Sequence, residues 1–338
     1  MIKKSILYLM TLAALFLLAS CTQDDDPYAG KVKVTFIAHL PETLSLDSRA
    51  IGDGTKANEL FFWVYDERNQ EVNDMYQHNV QFNNNSTATV SAYLTPGHVY
   101  KFAFWAQHKD IQCYDPRAAL VDISYSEESD VCNDELRDAF WGWIPDLYVD
   151  VAGEITQNIV LTRRLAQVNV GITESGFNNA LAAGVDLRDY DSELIIEQAG
   201  SKLLAYTKFD VRQGNASMTN VNYATDYLRF WPAPMPDELL KIGKNKYFYL
   251  AMSYFQPDVL EETTGNVILM LHHKTNPNKD IEIDFSQLGS NIPTFRGTKR
   301  TNLILDGITT DVTFNVVIDE NFDNLDYNYG PDGNPLGD

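Results

Sequence analysis

The sequence is poor in cations, poor in cysteine and nearly devoid of long apolar runs, and each shortage removes a class of protein. Lysine and arginine number 26 against 47 aspartates and glutamates, a formal charge of −21 over 338 residues. A field of that sign repels phosphate backbones, so nucleic acid is excluded as a partner. The three cysteines, Cys21, Cys113 and Cys132, are too far apart for any paired metal-ligand or redox spacing. The six histidines are His39, His78, His98, His108 and the adjacent His272 and His273, with no HExxH among them. Neighbouring histidines in a strand face opposite sides, so one metal cannot easily take both. There is no GxSxG, no phosphate-binding loop and no GxGxxG opening a helix. Carboxylates are so abundant that no pair stands out, and the acidic stretches TQDDDP (22–27) and DNLDYNYGPDGNPLGD (323–338) do not fit the full calcium-loop pattern. The expectation is a protein that is not an enzyme and holds neither cofactor nor metal.

The longest apolar run, Ile6 to Ala19, is led by Lys3 and Lys4 and interrupted by Tyr8 and Thr11. It falls short of the roughly 20 residues that span a bilayer, and with its cationic start it reads as a secretory signal peptide over 1–20. Leu18-Ala19-Ser20-Cys21 resembles the lipobox of bacterial lipoproteins, which implies that Cys21 heads the mature chain and carries lipid. The other reading is an ordinary signal peptide with an incidental cysteine. Asp24, Asp25 and Asp26 follow at once, and an acidic run behind an acylated cysteine resembles the export signal of Bacteroidota-type surface lipoproteins. Export places Cys113 and Cys132 in an oxidising compartment, where they are a candidate disulfide worth roughly 3 kcal/mol. Two separate thiols are the alternative.

Strand signals dominate the rest. KVKVTFIAHL (31–40) sets Val32, Val34 and Phe36 against Lys31, Lys33 and Thr35, the period of a half-buried strand. LFFWVYDE (60–67), ATVSAYL (88–94) and YKFAFWAQ (100–107) repeat the theme between Gly, Pro and Asn turns. NIVLTRRLAQVNVGIT (158–173) holds two strand-like halves joined at Arg163-Arg164, and further short strands follow up to VTFNVVID. Helices are expected only at 133–142, from an Asn133 cap, and at 175–186, from Ser175. Short strands at this density predict an all-β protein, with two sandwiches in series rather than a parallel wound sheet.

LDSRAIGDGTKANELFFWVYD (46–66), DELRDAFWGWI (134–144), LTRRLAQVNVGI (161–172), FRGTKRTNLILDGI (295–308) and VTFNVVIDENF (312–322), together with the lipobox, resemble the fimbrillin-like lipoproteins. These are the type V pilus subunits and relatives of Bacteroidota-type outer membranes. The resemblance implies two tandem transthyretin-like Greek-key sandwiches with short helical excursions. The expected division is signal peptide 1–20, acidic tether 21–30, an N-terminal sandwich 31–165, a C-terminal sandwich 166–319 and a flexible acidic tail 320–338. It also implies cleavage by a trypsin-like protease after an arginine beyond the first strand, which maps onto Arg49-Ala50. Strand 31–40 would then leave, and a donor strand from another fimbrillin subunit would fill the groove. The C terminus is too rich in Asp, Asn, Gly and Pro for a good donor, and 311–319 is equally a closing strand.

The expected role is therefore a lipid-anchored protein of the outer membrane surface or fimbrium, acting in assembly, anchoring or adhesion toward a host or bacterial receptor or glycan. The alternative is a glycan-binding surface lipoprotein of a carbohydrate-uptake system, since aromatics make up 12% of the chain. Trp63, Trp105, Trp141, Trp143 and Trp231 lie mostly in apolar strand or turn contexts, where core packing is the default.

Overall fold

The computed structural model describes residues 28–41, 56–72, 75–83, 86–116, 120–126, 130–151, 153–216, 224–237, 239–242, 245–258, 261–287, 292–308 and 314–319. A three-stranded sheet has the order β4 (Thr87–Leu94), β1 (Val32–His39), β9 (Ile155–Val160). It faces a five-stranded sheet ordered β10 (Thr162–Arg163), β8 (Phe140–Val149), β5 (His98–Gln107), β2 (Glu59–Tyr65), β3 (Gln77–Gln81). The alternation read in 31–40 is realised, because Val32, Val34, Phe36 and Ala38 are buried and the residues between them half-buried. They meet Leu60, Phe62 and Val64 of β2 and Phe102 and Phe104 of β5 in one core.

A second sandwich repeats the plan. One sheet runs β18 (Leu239–Ile242), β19 (Asn245–Phe255), β11 (Ala166–Ile172), β23 (Arg300–Leu305), β24 (Phe314–Asp319). The other runs β17 (Tyr227–Pro234), β12 (Tyr190–Gln198), β20 (Thr263–His273), β21 (Ile281–Asp284), with β22 (Thr294–Phe295) also on β20. Val168, Val170, Leu194, Ile196, Phe230, Leu269 and Leu303 fill the space between them. In each sandwich the first strand lies inside its sheet, antiparallel to one neighbour and parallel to a late strand. The pairs are β1 with β4 and β9, and β11 with β19 and β23.

The two sandwiches are joined more closely than a simple series would be. All seven residues of β2 are buried: Leu60, Phe62 and Val64 face the first core, while Phe61, Trp63 and Tyr65 face the other way beside Trp105 and Trp141. So apolar an outer face needs a cover. Tyr249, Met252 and Tyr254 of β19 supply part of it. The rest comes from a small sheet ordered β15 (Asn215–Ala216), β14 (Lys208–Asp210), β7 (Leu120–Ile123), β6 (Tyr114–Asp115). In that sheet β14 pairs antiparallel with β7, so both halves of the chain contribute strands to it. A separate pair, β13 (Ala205–Tyr206) with β16 (Ala224–Thr225), brackets β14 and β15 in the chain. Trp141 donates from Nε1 to the Val211 carbonyl at 2.7 Å. Gly214, at φ +67°, lies against the same ring, where an added Cβ would sit 2.3 Å from the indole.

The helix expected at 133–142 is not formed. Asn133 takes φ +65°, a single 3₁₀ turn spans Glu135–Arg137 under an Asp134 cap, and Phe140 already begins β8. The aromatic FWGW stretch favours a pleated, packed strand over a helix. The helix expected at 175–186 appears as α1 (Glu174–Ala182), capped by Thr173 rather than Ser175 through a 3.1 Å bond from Gly176 N–H.

Candidate functional site

The site that the fold builds most distinctively is the slot occupied by β1. Eight residues pair with β4, from Val32↔Leu94 to His39↔Thr87, and six with β9, from Val34↔Ile155 to His39↔Val160. The flanking strands touch β1 and not each other, so the sheet would divide without it. Phe36 is fully buried, its ring 4.6 Å from Phe102, 5.4 Å from Phe104 and 5.8 Å from Phe62. Val32, Val34, Phe36 and Leu40 are large buried side chains, together worth about 6–12 kcal/mol as an upper bound. On the outer face Thr35 Oγ1 lies 3.0 Å from Ser91 Oγ, and His39 Nε2 3.0 Å from Asn158 Oδ1. The start of the strand is held by a turn with Gly30 at φ +80° and by Tyr28 stacked on Tyr93 at 3.7 Å. At the other end of the chain, β24 lies at the margin of its sheet, paired with β23 from Arg300↔Asp319 to Leu305↔Phe314.

Two segments singled out in the sequence meet at the junction of the sandwiches. Arg137 is fully buried; its guanidinium pairs with Asp130 and donates from Nε to the Tyr254 carbonyl of β19 at 3.4 Å. Its own carbonyl accepts from Tyr114 Oη at 2.5 Å. Arg163 is 1% exposed and grips Asp138 in a fork, Nε at 2.9 Å and Nη2 at 2.8 Å, with its guanidinium 4.8 Å over Phe140. DELRD and LTRR are thus tied to each other and to the second sandwich by charges taken out of water.

Of the residues expected to act, Cys21, Asp24, Asp25, Asp26, Arg49 and Ala50 lie outside the described residues. The candidate disulfide is corrected: Cys113 and Cys132 are free, buried thiols. Cys113 packs in the shared core under the five-stranded sheet of the first sandwich and Cys132 in the core of the second sandwich. Burial pushes Cys113 up to about 11 and Cys132 up to about 12. Iodoacetamide at pH 8 is therefore expected to leave both unmodified in the folded protein and to alkylate both in denaturant, as read by intact mass.

The adjacent histidines do face opposite sides. His272 Nε2 lies 2.7 Å from Glu193 Oε2 and Nδ1 3.1 Å from Asp280 Oδ2, an arrangement only the imidazolium satisfies at both nitrogens. His273 instead packs edge-on against Tyr190 at 5.0 Å. Partial burial lowers the His272 pKa, but the bonds to Glu193 and Asp280 outweigh it and the net shift is upward. A raised folded-state value means this contribution is complete below about 6.5 and is lost as pH rises through the folded pKa. His272→Gln should flatten that part of the stability profile, measured by urea midpoints between pH 5.5 and 8.5.

Sequence reading missed a cleft at the open end of the outer face of the five-stranded sheet, lined by Glu59, Gln107, Tyr76 and His78 among others. Its only trace in the sequence is a carboxylate set directly before the apolar run LFFWVY. No group of three or more metal-ligating side chains occurs among the described residues, and no described helix is long and apolar enough to cross a membrane.

Paired sandwiches whose first strand sits inside its own sheet define an all-β architecture, and the fold is shared with a solved protein of Bacteroidota. Residues 25–331 match a family described as a family of unknown function, DUF6562, and the chain belongs to that family. No curated protein matches. A candidate cell adhesion protein from Bacteroides uniformis aligns with TM-score 0.52 at 9% identity, over 87% of this chain and 99% of that one. A candidate polysaccharide-binding protein from Bacteroides thetaiotaomicron gives 0.48 at 17% identity, over 86% and 96%. The tip fimbrial protein Mfa3 from Porphyromonas gingivalis, truncated at its C terminus, gives 0.45 at 11%, over 85% and 99%. At these identities the likeness is one of fold.

Proposed function

We propose that this chain is a non-enzymatic, lipid-anchored surface protein of fimbrillin type, acting in fimbrium assembly, anchoring or adhesion, with β1 as its exchangeable strand. The observation that carries the reading is the placement of β1. It is the first strand after the acidic tether, it is apolar at alternate positions, and it sits between two strands that would both be left with open edges. An open pair of edges above an apolar floor is what an incoming strand can fill. The fold shared with the B. uniformis candidate adhesion protein supports the adhesive side of the reading. Under this reading 31–165 and 166–319 are the two sandwich domains, Cys21 is the lipid anchor and Asp24 to Asp26 direct export to the outer face. Cleavage between Arg49 and Ala50 then breaks the covalent link between the anchor, with β1, and the remainder, so that a competing strand can displace β1.

The test is limited trypsin treatment of purified precursor, followed by intact mass and denaturing gels. One cut at Arg49 with SDS-resistant ladders is expected. Cutting throughout, or a clean cut with no ladder, rules out polymerisation by strand exchange.

A further inference from the structure

The five-stranded sheet carries a second feature on the face opposite the β1 slot. Where the aromatic stripe Phe61, Trp63, Tyr65 runs out toward the start of β2, the covering strands end and leave an open cleft of about 690 Å³. That volume falls within the range of small-ligand sites. Glu59 is the last residue of the stripe's face before the cleft, and Gln107 stands directly opposite it on β5.

Glu59 is 5% exposed, and its carboxylate lines the cleft without a hydrogen bond to any described residue. Its oxygens open onto the cleft and meet its solvent, where a ligand hydroxyl can take the place of water. Burial holds the Glu59 carboxyl above its ordinary value, with His78 drawing it back. Gln107 is 4% exposed and accepts from Trp105 Nε1 at 2.8 Å. An indole nitrogen can only donate, which commits the amide oxygen to Trp105 and keeps the amide NH₂ as a donor. Beside these groups an aromatic ladder climbs from core to surface: Trp63 lies 5.4 Å from Tyr76, and Tyr76 stacks 5.4 Å from His78. Trp63 is fully buried and His78 exposed, so the ladder ends at the wall of the cleft. His78 is held by Asn79, with Nδ2 at 2.5 Å from its Nδ1.

A carboxyl acceptor, an amide donor and a ring wall make a set that suits a ligand with several hydroxyls along its edge and an apolar C–H face. Lys109 and Asp115 line the same cleft with opposite charges. The geometry points to a saccharide-binding site, in which Glu59 accepts from sugar hydroxyls, Gln107 donates to a ring or glycosidic oxygen, and the Tyr76–His78 wall packs against a pyranose face. The open shape suits a residue within a glycan chain. Because this site lies across the sheet from β1, it is independent of strand exchange: the ladder assay can fail while sugar binds, and the reverse.

The experiment is isothermal titration of the full mature protein with maltoheptaose, laminarihexaose, mannohexaose, xylohexaose, chitohexaose and N-acetyllactosamine. Saturable binding of at least one is expected. Glu59→Gln and His78→Ala should each weaken it about tenfold or more, the loss of one charge-assisted bond or one stacking contact. Tyr227→Ala, which removes an exposed aromatic of the second sandwich, should leave it unchanged. His78 is exposed, so its variant keeps the test valid even where a change at Glu59 disturbs folding. Binding to none of the six sugars overturns the proposal, as does binding that both variants leave intact. So does capture of a trilysine peptide, lost in Glu59→Gln, in place of any sugar.

Discussion

A chain cut once after Arg49 keeps its N-terminal fragment through native gel filtration and releases it only in denaturant. The reason is the size of the interaction that the cut leaves untouched. β1 is held by ladder pairs on both edges and by Val32, Val34, Phe36, Ala38 and Leu40 beneath it. About 6–12 kcal/mol of gross apolar burial, together with the ladders, exceeds what a small fragment loses by becoming a separate molecule in a preformed slot. Phe36→Ala removes the central ring and should cost about 3–5 kcal/mol. The nicked Phe36→Ala protein is therefore expected to shed the fragment on the column. A fragment lost at once from the unmodified protein would show that β1 contributes little to the sandwich. Proteolysis on this account permits exchange without causing it; a competing strand must displace β1.

The second large effect is expected at Arg137. Removing one member of a buried ion pair strands the other, at about 3–5 kcal/mol. Arg137→Leu removes the guanidinium that faces Asp130, itself 2% exposed, and Asp130→Asn removes the charge that faces the buried guanidinium. Both should lower the urea midpoint strongly. The double change Arg137→Leu with Asp130→Leu should recover part of the loss, because it removes the stranded charge. Since the Arg137 side chain also reaches the Tyr254 carbonyl on β19, hydrogen exchange in either single variant should rise on both sides of the junction. A change confined to 130–137 would show that the pair serves only its own loop.

Particular elements show what the sequence disclosed. β1 was legible because one of its faces is buried and the other is not, so its polarity alternates. β2 was legible as a strand, but its partners were not. FFWVY carries apolar residues on both faces, the mark of a strand covered twice. Nothing in it says that the second cover comes in part from residues beyond 200. The 133–142 segment misled because its Asn and acidic residues imitate a helix start, whereas its Arg137 and Asp138 serve ion pairs, with Asp130 and Arg163, that are fixed by tertiary structure. The free cysteines could not be told from a bridge by spacing, since what separates them is the assignment of each to a different core. Glu59 gave no motif, because its significance is its place at the mouth of a cleft, which only packing reveals.

The parallel pairings have a consequence in time. Val34 is matched with Ile155, 121 positions later, and Gln167 with Arg300, 133 positions later. When a chain is made and exported from its N terminus, β1 and its antiparallel neighbour β4 emerge long before β9 exists, and contacts of such separation form slowly. For that interval the first sandwich has one unclaimed edge and a strand not yet locked in place. The pairing of β1 is therefore least secured at the chain's birth and is closed last, when β9 arrives.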